Sequence, residues 1–158
     1  NTGALGHGLP VAVGLALAAK KSNSTRRIFL ITGDGELAEG SNWEAALAAA
    51  HYGLDNLVII NDKNNLQLAG PTREIMNTDP LADKWRAFGM AVSECEGNDM
   101  ASLVAAIEGL KQEGKPNVII ANTTKGAGIS FIQGRPEWHH RVPKGEEIAL
   151  ALEELKDE

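Results

Sequence analysis

The chain has 158 residues, of which 43% are hydrophobic and 23% are charged, and its formal net charge is −6. This length favours one domain with a single core, and the composition is ordinary for a soluble globular protein. The negative charge and the lack of a dense basic run exclude a general nucleic-acid-binding surface. The lone cysteine excludes an internal disulfide and fits a reducing compartment, so we expect a cytoplasmic location.

The first stretch is a glycine-rich loop, Gly3–Gly8, followed by the apolar run Leu9–Ala19. The run predicts a buried helix with Pro10 in its first turn, and it is too short and too broken to span a bilayer. A glycine loop before a helix can cradle an anion. Its Gly-x-x-Gly-x-Gly spacing and the lack of a preceding strand do not fit the dinucleotide fingerprint.

Two polar loops each follow a short apolar run that predicts a buried strand. Gly33-Asp34-Gly35 follows Ile28–Ile31, and Asn61–Leu66 follows Leu57–Ile60. The segment Trp43–His51 between them predicts a helix, which makes the unit a βαβ crossover. Ligands of such units bind at the carboxyl ends of the strands, where both loops fall.

The two loops carry the donors of a magnesium site. Asp34 offers a carboxylate between two glycines, and Asn64 offers an amide oxygen at the end of the next strand. One carboxylate, one amide oxygen and a main-chain carbonyl suit Mg²⁺, which binds few protein groups and shares phosphate oxygens. The alternative is that both pairs are ordinary turn formers.

The rest of the chain alternates helices with strands. This pattern predicts an α/β fold with a doubly wound parallel sheet and helices on both faces, in one domain spanning residues 1–158. The predicted elements are a helix from Asp79 to Phe88 that stops at Gly89, a strand Ala91–Glu96, a helix Met100–Glu113, a strand Asn117–Asn122 and an amphipathic helix Glu146–Leu155.

Two loops follow the fourth predicted strand. Lys125, in the first of them, lies at the same sheet edge as Asp34, where it either meets a phosphate or is simply solvated. The segment Phe131–Pro143 has little periodicity, and long irregular loops are often functional. Its neighbouring His139 and His140 do not fit a zinc site, because adjacent residues rarely converge on one ion and no further ligand pattern accompanies them.

Gly33-Asp34-Gly35, followed by Asn64-Asn65, resembles the diphosphate-and-metal motif of thiamine diphosphate enzymes. The surrounding sequence is similar to transketolases, specifically to the amino-terminal subunit of the split, two-chain type. The resemblance covers nearly the whole chain. The phrases that carry it are Thr2–Gly8, Glu39–Ala45, Ala50–Leu57, Leu81–Gly89 and Thr123–Gly128.

The resemblance implies thiamine diphosphate and Mg²⁺ as cofactors. The implied metal ligands are Asp34, Asn64 and the backbone carbonyl of Leu66. The implied cofactor-binding residues are Gly3, Leu5, Gly33, Asp34, Gly35, Glu36, Asp62, Asn64, Leu68, Lys125 and His139. The implied catalytic residues are His139, near the reacting carbonyl, and Glu39, in a carboxylate network between the two cofactor sites of the dimer.

Several of these residues have a simpler interpretation from the sequence alone. An apolar residue such as Leu5 is more often simply a core residue, and Asp62, as part of an Asn-Asp turn, needs no function. Glu36 and Glu39 also complement the dipole of a following helix, which contributes about 0.3–1 kcal/mol each. His140 stands where the family more often has glycine.

The implied reaction transfers a two-carbon ketol unit from a ketose phosphate to an aldose phosphate. The glutamate that activates the aminopyrimidine in this family is expected on a carboxy-terminal partner subunit, in a dimer of such pairs. The family also implies an upstream segment of roughly a hundred residues, a domain-sized piece. We therefore expect this chain to be a fragment that is inactive alone, with no nucleic-acid or membrane partner.

Three alternatives remain open at this point. Another thiamine diphosphate enzyme, such as a deoxyxylulose-phosphate synthase or a 2-oxo acid dehydrogenase component, shares the central motif. A truncated chain that keeps the fold without turnover is the second. A plain nucleotide-binding domain is the third, although the glycine spacing is against it.

Overall fold

The computed structural model describes residues 3–68 and 70–156, so Thr2 of the first family phrase and Ala69 lie outside the described residues. The described part contains one parallel sheet and a small antiparallel hairpin. The strands are β1 (Ile28–Gly33), β2 (Leu57–Lys63), β3 (Leu66–Gln67), β4 (Gly70–Pro71), β5 (Ala91–Glu96) and β6 (Asn117–Asn122).

The main sheet has the order β1-β2-β6-β5, and every neighbouring pair is parallel. Its register pairs Gly33 with Asp62 and Lys63 with Asn122. The carboxyl ends of β1, β2 and β6 therefore lie side by side at one edge of the sheet. The predicted parallel α/β architecture is confirmed.

Helices cover both faces of the sheet. Leu9, Ala46 and Trp85 join one apolar core with Ile59 and Val118 of the sheet. On the opposite face, Leu103 and Ile107 pack against Val58 and Ile119. The helices are α1 (Gly8–Lys21), α2 (Gly40–His51), α3 (Thr72–Ile75), α4 (Leu81–Ala87), α5 (Met100–Glu108) and α6 (Glu146–Glu154), with 3-10 turns at Gly35–Ala38 and Pro136–His139.

The structure corrects the predicted burial of α1 and β1. Phe29 and Ile31 of β1 are 48% and 71% exposed, because β1 is an edge strand and α5 packs on the other half of that face. Val11 and Leu15 of α1 are 62% and 55% exposed on the side away from the sheet. A uniformly apolar run therefore does not show that every side is buried within this chain.

The structure also shortens the predicted helix Met100–Glu113. Helix α5 ends at Glu108 with Gly109 as its C-cap, consistent with the low helix propensity of glycine. The following segment is held by side chains from elsewhere. Asn117 donates to the carbonyl of Lys111 at 2.9 Å, and Asp55 accepts from the amide of Gly114 at 3.1 Å.

None of the helices in residues 3–68 and 70–156 has the length and apolar character that a bilayer crossing requires.

Candidate functional site

Asp34 occupies the first position after β1, and its side chain is almost fully buried, with 2% of the residue exposed. One carboxylate oxygen accepts the amide of Gly35 at 2.8 Å, and the other accepts the amide of Asn65 at 2.6 Å. The backbone amide of Asp34 donates to the carbonyl of Asp62 at 3.1 Å. The carboxylate thus joins the two polar loops that the sequence placed at this edge.

Burial raises the pKa of Asp34 above its usual 3.8. The two backbone amides act in the opposite direction, and the nearby carboxylate of Asp62 raises the pKa further. None of the ion pairs in the described part of the chain includes Asp34. A buried carboxylate in this environment is stabilised by a bound cation, because a cation compensates both the lost hydration and the repulsion.

The second loop turns back on itself through a hairpin that the sequence did not predict. Asn65 has a left-handed backbone with φ 60°, and β3 pairs antiparallel with β4. The amide oxygen of Asn64 accepts the backbone N–H of Leu66 at 3.0 Å. A carbonyl oxygen has two lone pairs, so that of Asn64 keeps one for a cation.

The hairpin packs directly on the turn that follows Asp34. A Cβ atom added at Gly35 would lie 2.6 Å from the Cβ of Gln67, a distance that excludes any side chain there without movement. The 3-10 turn itself is fixed from α2. Asn42 donates to the carbonyl of Glu36 and Trp43 to that of Leu37, both at 2.8 Å. The turn is therefore held in place before any ligand binds.

The first glycine loop reaches the same edge of the sheet. Its Gly6 amide donates to Glu36 at 3.0 Å, and Glu36 also accepts the amide of Gly33 at 3.2 Å. Leu5, beside Gly6, is 51% exposed, and Gly3 is exposed. Glu39 is exposed at the start of α2.

The segments after β6 complete the edge. Thr123 donates a hydrogen bond to the carboxylate of Asp62, and the carbonyl of Lys125 accepts the amide of Gly134 at 2.9 Å. His139 ends a 3-10 turn that contacts β3. Burial lowers the pKa of His139 below 6.5, and the charges of Lys125 and His140 lower it further. Lys125 is therefore close enough to His139 for its charge to act on the imidazole.

The segment predicted as irregular is ordered by aromatic packing. Trp138 is buried, and its ring lies edge-on to Phe131 at 5.5 Å and under the guanidinium of Arg141 at 4.1 Å. This packing fixes the turn that carries His139, although the turn could not be read from periodicity.

A cleft of about 450 Å³ opens beside the polar loops. Leu68, two residues after the cleft-lining Leu66, is 57% exposed. Among the described residues, no three His, Cys, Asp or Glu side chains form a metal-binding group. The predicted magnesium ligands include only one such side chain and stay a prediction. The lining residues are Asn64, Asn65, Leu66, Pro71, Thr72, Arg73, Asp79 and Gly134.

Sequence reasoning missed the groups that hold the site together. The amide of Asn65, the hydroxyl of Thr123 and the side chain of Gln67 all support predicted site residues. Of these three groups, the Asn65 amide alone belongs to a residue with a sequence signal, since asparagine tolerates the left-handed backbone found there.

The chain matches the family described as transketolase, thiamine diphosphate binding domain, over residues 1–156. It is 73% identical over 158 residues to an apulose-4-phosphate transketolase subunit of Actinobacillus succinogenes, covering 100% of this chain and 57% of that protein. It is 42% identical over 159 residues to the 6-deoxy-6-sulfo-D-fructose transketolase subunit SqwG of a Clostridium species, covering 100% of this chain and 58% of that protein.

The fold is similar to that of the transketolase from Campylobacter jejuni, with a TM-score of 0.90 and 33% identity. The match covers 96% of this chain and 25% of that one. The chain thus spans little more than half the length of the curated relatives above and a quarter of this solved structure. With the family match over nearly every residue, the chain belongs to the transketolase family and contains its thiamine diphosphate binding domain.

Proposed function

We propose that this chain forms the diphosphate-binding part of the active site in a split, two-subunit transketolase. The reaction is the transfer of a two-carbon ketol unit from a ketose phosphate to an aldose phosphate, with thiamine diphosphate and Mg²⁺ as cofactors. The observation that carries the proposal is the buried carboxylate of Asp34, which lacks a cationic partner among the described residues, in a chain of this family.

The metal ligands in this proposal are Asp34, Asn64 and the backbone carbonyl of Leu66. Each oxygen of the Asp34 carboxylate accepts a single backbone amide, so lone pairs remain on both. Asn64 and Leu66 are joined by a hydrogen bond and lie in the loop that Asp34 anchors through Asn65. Mg²⁺ prefers a site in which a few protein ligands lie beside a diphosphate group.

Thiamine diphosphate supplies the electron sink that cleavage of a ketose carbon–carbon bond requires. In this proposal, Gly33, Gly35 and Lys125 contact its diphosphate. Leu5 and Leu68 provide apolar contacts, and such exposed large side chains beside a polar site suit an aromatic ring. The remaining proposed contacts are Gly3, Asp62 and His139, whereas Glu36 is proposed to support the site through the amides of Gly6 and Gly33.

Two residues are proposed to take part in proton management. The lowered pKa of His139 keeps its imidazole neutral at pH 7, so one ring nitrogen donates and the other accepts. That suits a partner for the oxygen of the reacting carbonyl. The exposed carboxylate of Glu39 is available to a neighbouring subunit, where it would join the network between two cofactor sites.

The relatives suggest the substrate and the partner. Two proteins that cover almost all of this chain, at 73% and 44% identity, are named as one subunit of an apulose-4-phosphate transketolase. We therefore propose apulose 4-phosphate as the first ketose donor to test. Because both names denote one subunit of a larger enzyme, they support a second, carboxy-terminal subunit that completes the site, in a dimer of such pairs. We also propose a cytoplasmic location.

The test is product analysis with the full-length subunit in complex with its partner. A ketose phosphate plus an aldose phosphate should give ketol transfer that depends on thiamine diphosphate and Mg²⁺, with Asp34→Asn as the background control. Decarboxylation of pyruvate without ketol transfer would instead support a deoxyxylulose-phosphate synthase or 2-oxo acid dehydrogenase role. No turnover in any mixture would support the inactive-chain alternative.

A further inference from the structure

Gly6 is held in place by one side chain from the 3-10 turn after β1 and one from the first turn of α2. Glu36 Oε1 accepts the amide of Gly6 at 3.0 Å, and the hydroxyl of Ser41 donates to the carbonyl of Gly6 at 2.7 Å. These partners are 30 and 35 positions away in the chain. Both backbone polar groups of Gly6 are thus bound to the stretch Glu36–Ser41, which directly follows Gly33-Asp34-Gly35 (the Asp34 loop).

The second oxygen of Glu36 accepts the amide of Gly33 at 3.2 Å. Gly33 is the last residue of the edge strand β1, and it pairs with β2 on one side alone. A single carboxylate therefore connects the first glycine loop to the strand end directly before Asp34. Because both Glu36 oxygens already accept amide protons, the side chain is built as a bridge between two backbone segments.

The backbone of Gly6 packs closely against Glu39 and Ser41. Gly6 has φ +78°, and an added Cβ would lie 2.6 Å from Ser41 Oγ and 2.7 Å from Glu39 Cβ. Leu5 precedes this anchor, and its carbonyl is 3.0 Å from the ring nitrogen Nδ1 of His7. The contacts at Gly6 therefore anchor the residue after Leu5 to the stretch that follows Asp34.

We propose that Glu36 and Ser41 are positioning residues that fix Leu5 against the Asp34 loop and thereby set the affinity for thiamine diphosphate. This rests on the proposed function, in which Leu5 contacts the cofactor. A loop held in its bound position before binding loses less conformational freedom when the ligand arrives, and this raises affinity.

The experiment measures the Kd of thiamine diphosphate at saturating Mg²⁺ in the full-length subunit in complex with its partner. Glu36→Gln keeps one carbonyl oxygen and so loses one of the two amide bonds, and Ser41→Ala loses the hydroxyl. We expect the Kd to rise about tenfold in Glu36→Gln and several-fold in Ser41→Ala. Since both act through Gly6, the double variant should show less than the product of the two effects.

Two control variants alter a carboxylate and a hydroxyl that bind backbone groups away from Gly6. Asp55→Asn alters a carboxylate that accepts the backbone amide of Gly114. Gly114 precedes β6, so this contact lies at the opposite edge of the sheet. Ser22→Ala removes a hydroxyl that donates to the carbonyl of Ala19 at 3.0 Å. Both should leave the Kd within about twofold of wild type at a temperature where circular dichroism shows every variant folded.

Lower melting temperatures in Glu36→Gln and Ser41→Ala with an unchanged Kd would overturn the positioning role. In that case, loss of Mg²⁺-dependent binding in Asp34→Asn would leave the proposed function standing. Absence of Mg²⁺-dependent binding in the wild type would overturn both. If Glu36→Gln does not fold, Ser41→Ala decides the question by the same criterion.

Discussion

Replacing Gly6 by alanine tests whether the first glycine loop is held against the stretch Glu36–Ser41 that follows Asp34. The substitution adds one methyl group at φ +78°, where the nearest atoms would be Ser41 Oγ at 2.6 Å and Glu39 Cβ at 2.7 Å. The Ser41 hydroxyl can rotate away only by giving up its bond to the Gly6 carbonyl. The Glu39 Cβ is attached to the backbone, so the main chain itself has to move.

Gly114 provides a matched comparison. Its φ is +77°, and an added Cβ would meet nothing within 4 Å. Left-handed backbone costs a non-glycine residue about 1–2 kcal/mol, and this cost applies to both Gly6→Ala and Gly114→Ala. Overpacking adds about 1–3 kcal/mol, and this cost applies to Gly6 alone. We therefore expect Gly6→Ala to lower the free energy of unfolding by about 2–5 kcal/mol and Gly114→Ala by about 1–2 kcal/mol.

Urea unfolding of the full-length subunit, followed by tryptophan fluorescence and circular dichroism, measures both values. The difference between the two variants isolates the steric contact at Gly6, because their φ angles are nearly equal. Equal losses of stability in the two variants would refute the reasoning, since they would show that the loop can leave Glu39 and Ser41 without cost.

Further predictions concern the pH dependence of stability and the effect of the Lys125 charge on the pKa of His139. Partial burial raises the pKa of Asp55, but the Gly114 amide and the Lys20 ammonium together bring it below 3.8. The Asp55 carboxylate therefore contributes stability above pH 3.8, and this contribution is lost as the pH falls through its folded-state pKa. Urea unfolding at pH 5 and at pH 3 should show that the free energy of unfolding falls less in Asp55→Asn than in the wild type. Burial and then the charge of Lys125 lower the pKa of His139 below 6.5, so the histidine's contribution to stability should rise with pH up to about 6.5. An NMR titration of the His139 ring should give a higher pKa in Lys125→Met, and an unchanged value would contradict the proximity of the two residues.

The sheet and the position of the polar loops could be predicted from the sequence, because each rests on local signals. The strands Ala91–Glu96 and Asn117–Asn122 have the predicted bounds. The βαβ pattern around Gly33-Asp34-Gly35 requires a parallel pair, and parallel strands bring their carboxyl ends to one edge. The burial of Asp34 follows from that placement.

What could not be predicted depends on contacts between distant segments. The Glu36 carboxylate bonds to Gly6 across 30 positions, and no pattern near either residue indicates the pairing. Ile31 is exposed because α5 packs on the other half of that face of the sheet. Helix α5 ends at Glu108 and not at the predicted Glu113. Asn117 and Asp55, which lie outside the helix, bind the segment that follows it.

The central claim is that Asp34 anchors a metal-bridged diphosphate. Calorimetric titration of thiamine diphosphate into the full-length subunit with its partner, with and without Mg²⁺, tests it most directly. We expect tight binding with Mg²⁺ and an affinity at least about 100-fold weaker without it, as loss of a liganding charge costs several kcal/mol. Asp34→Asn should bind weakly under both conditions. Equal affinity of the wild type and Asp34→Asn in the presence of Mg²⁺ would contradict the account.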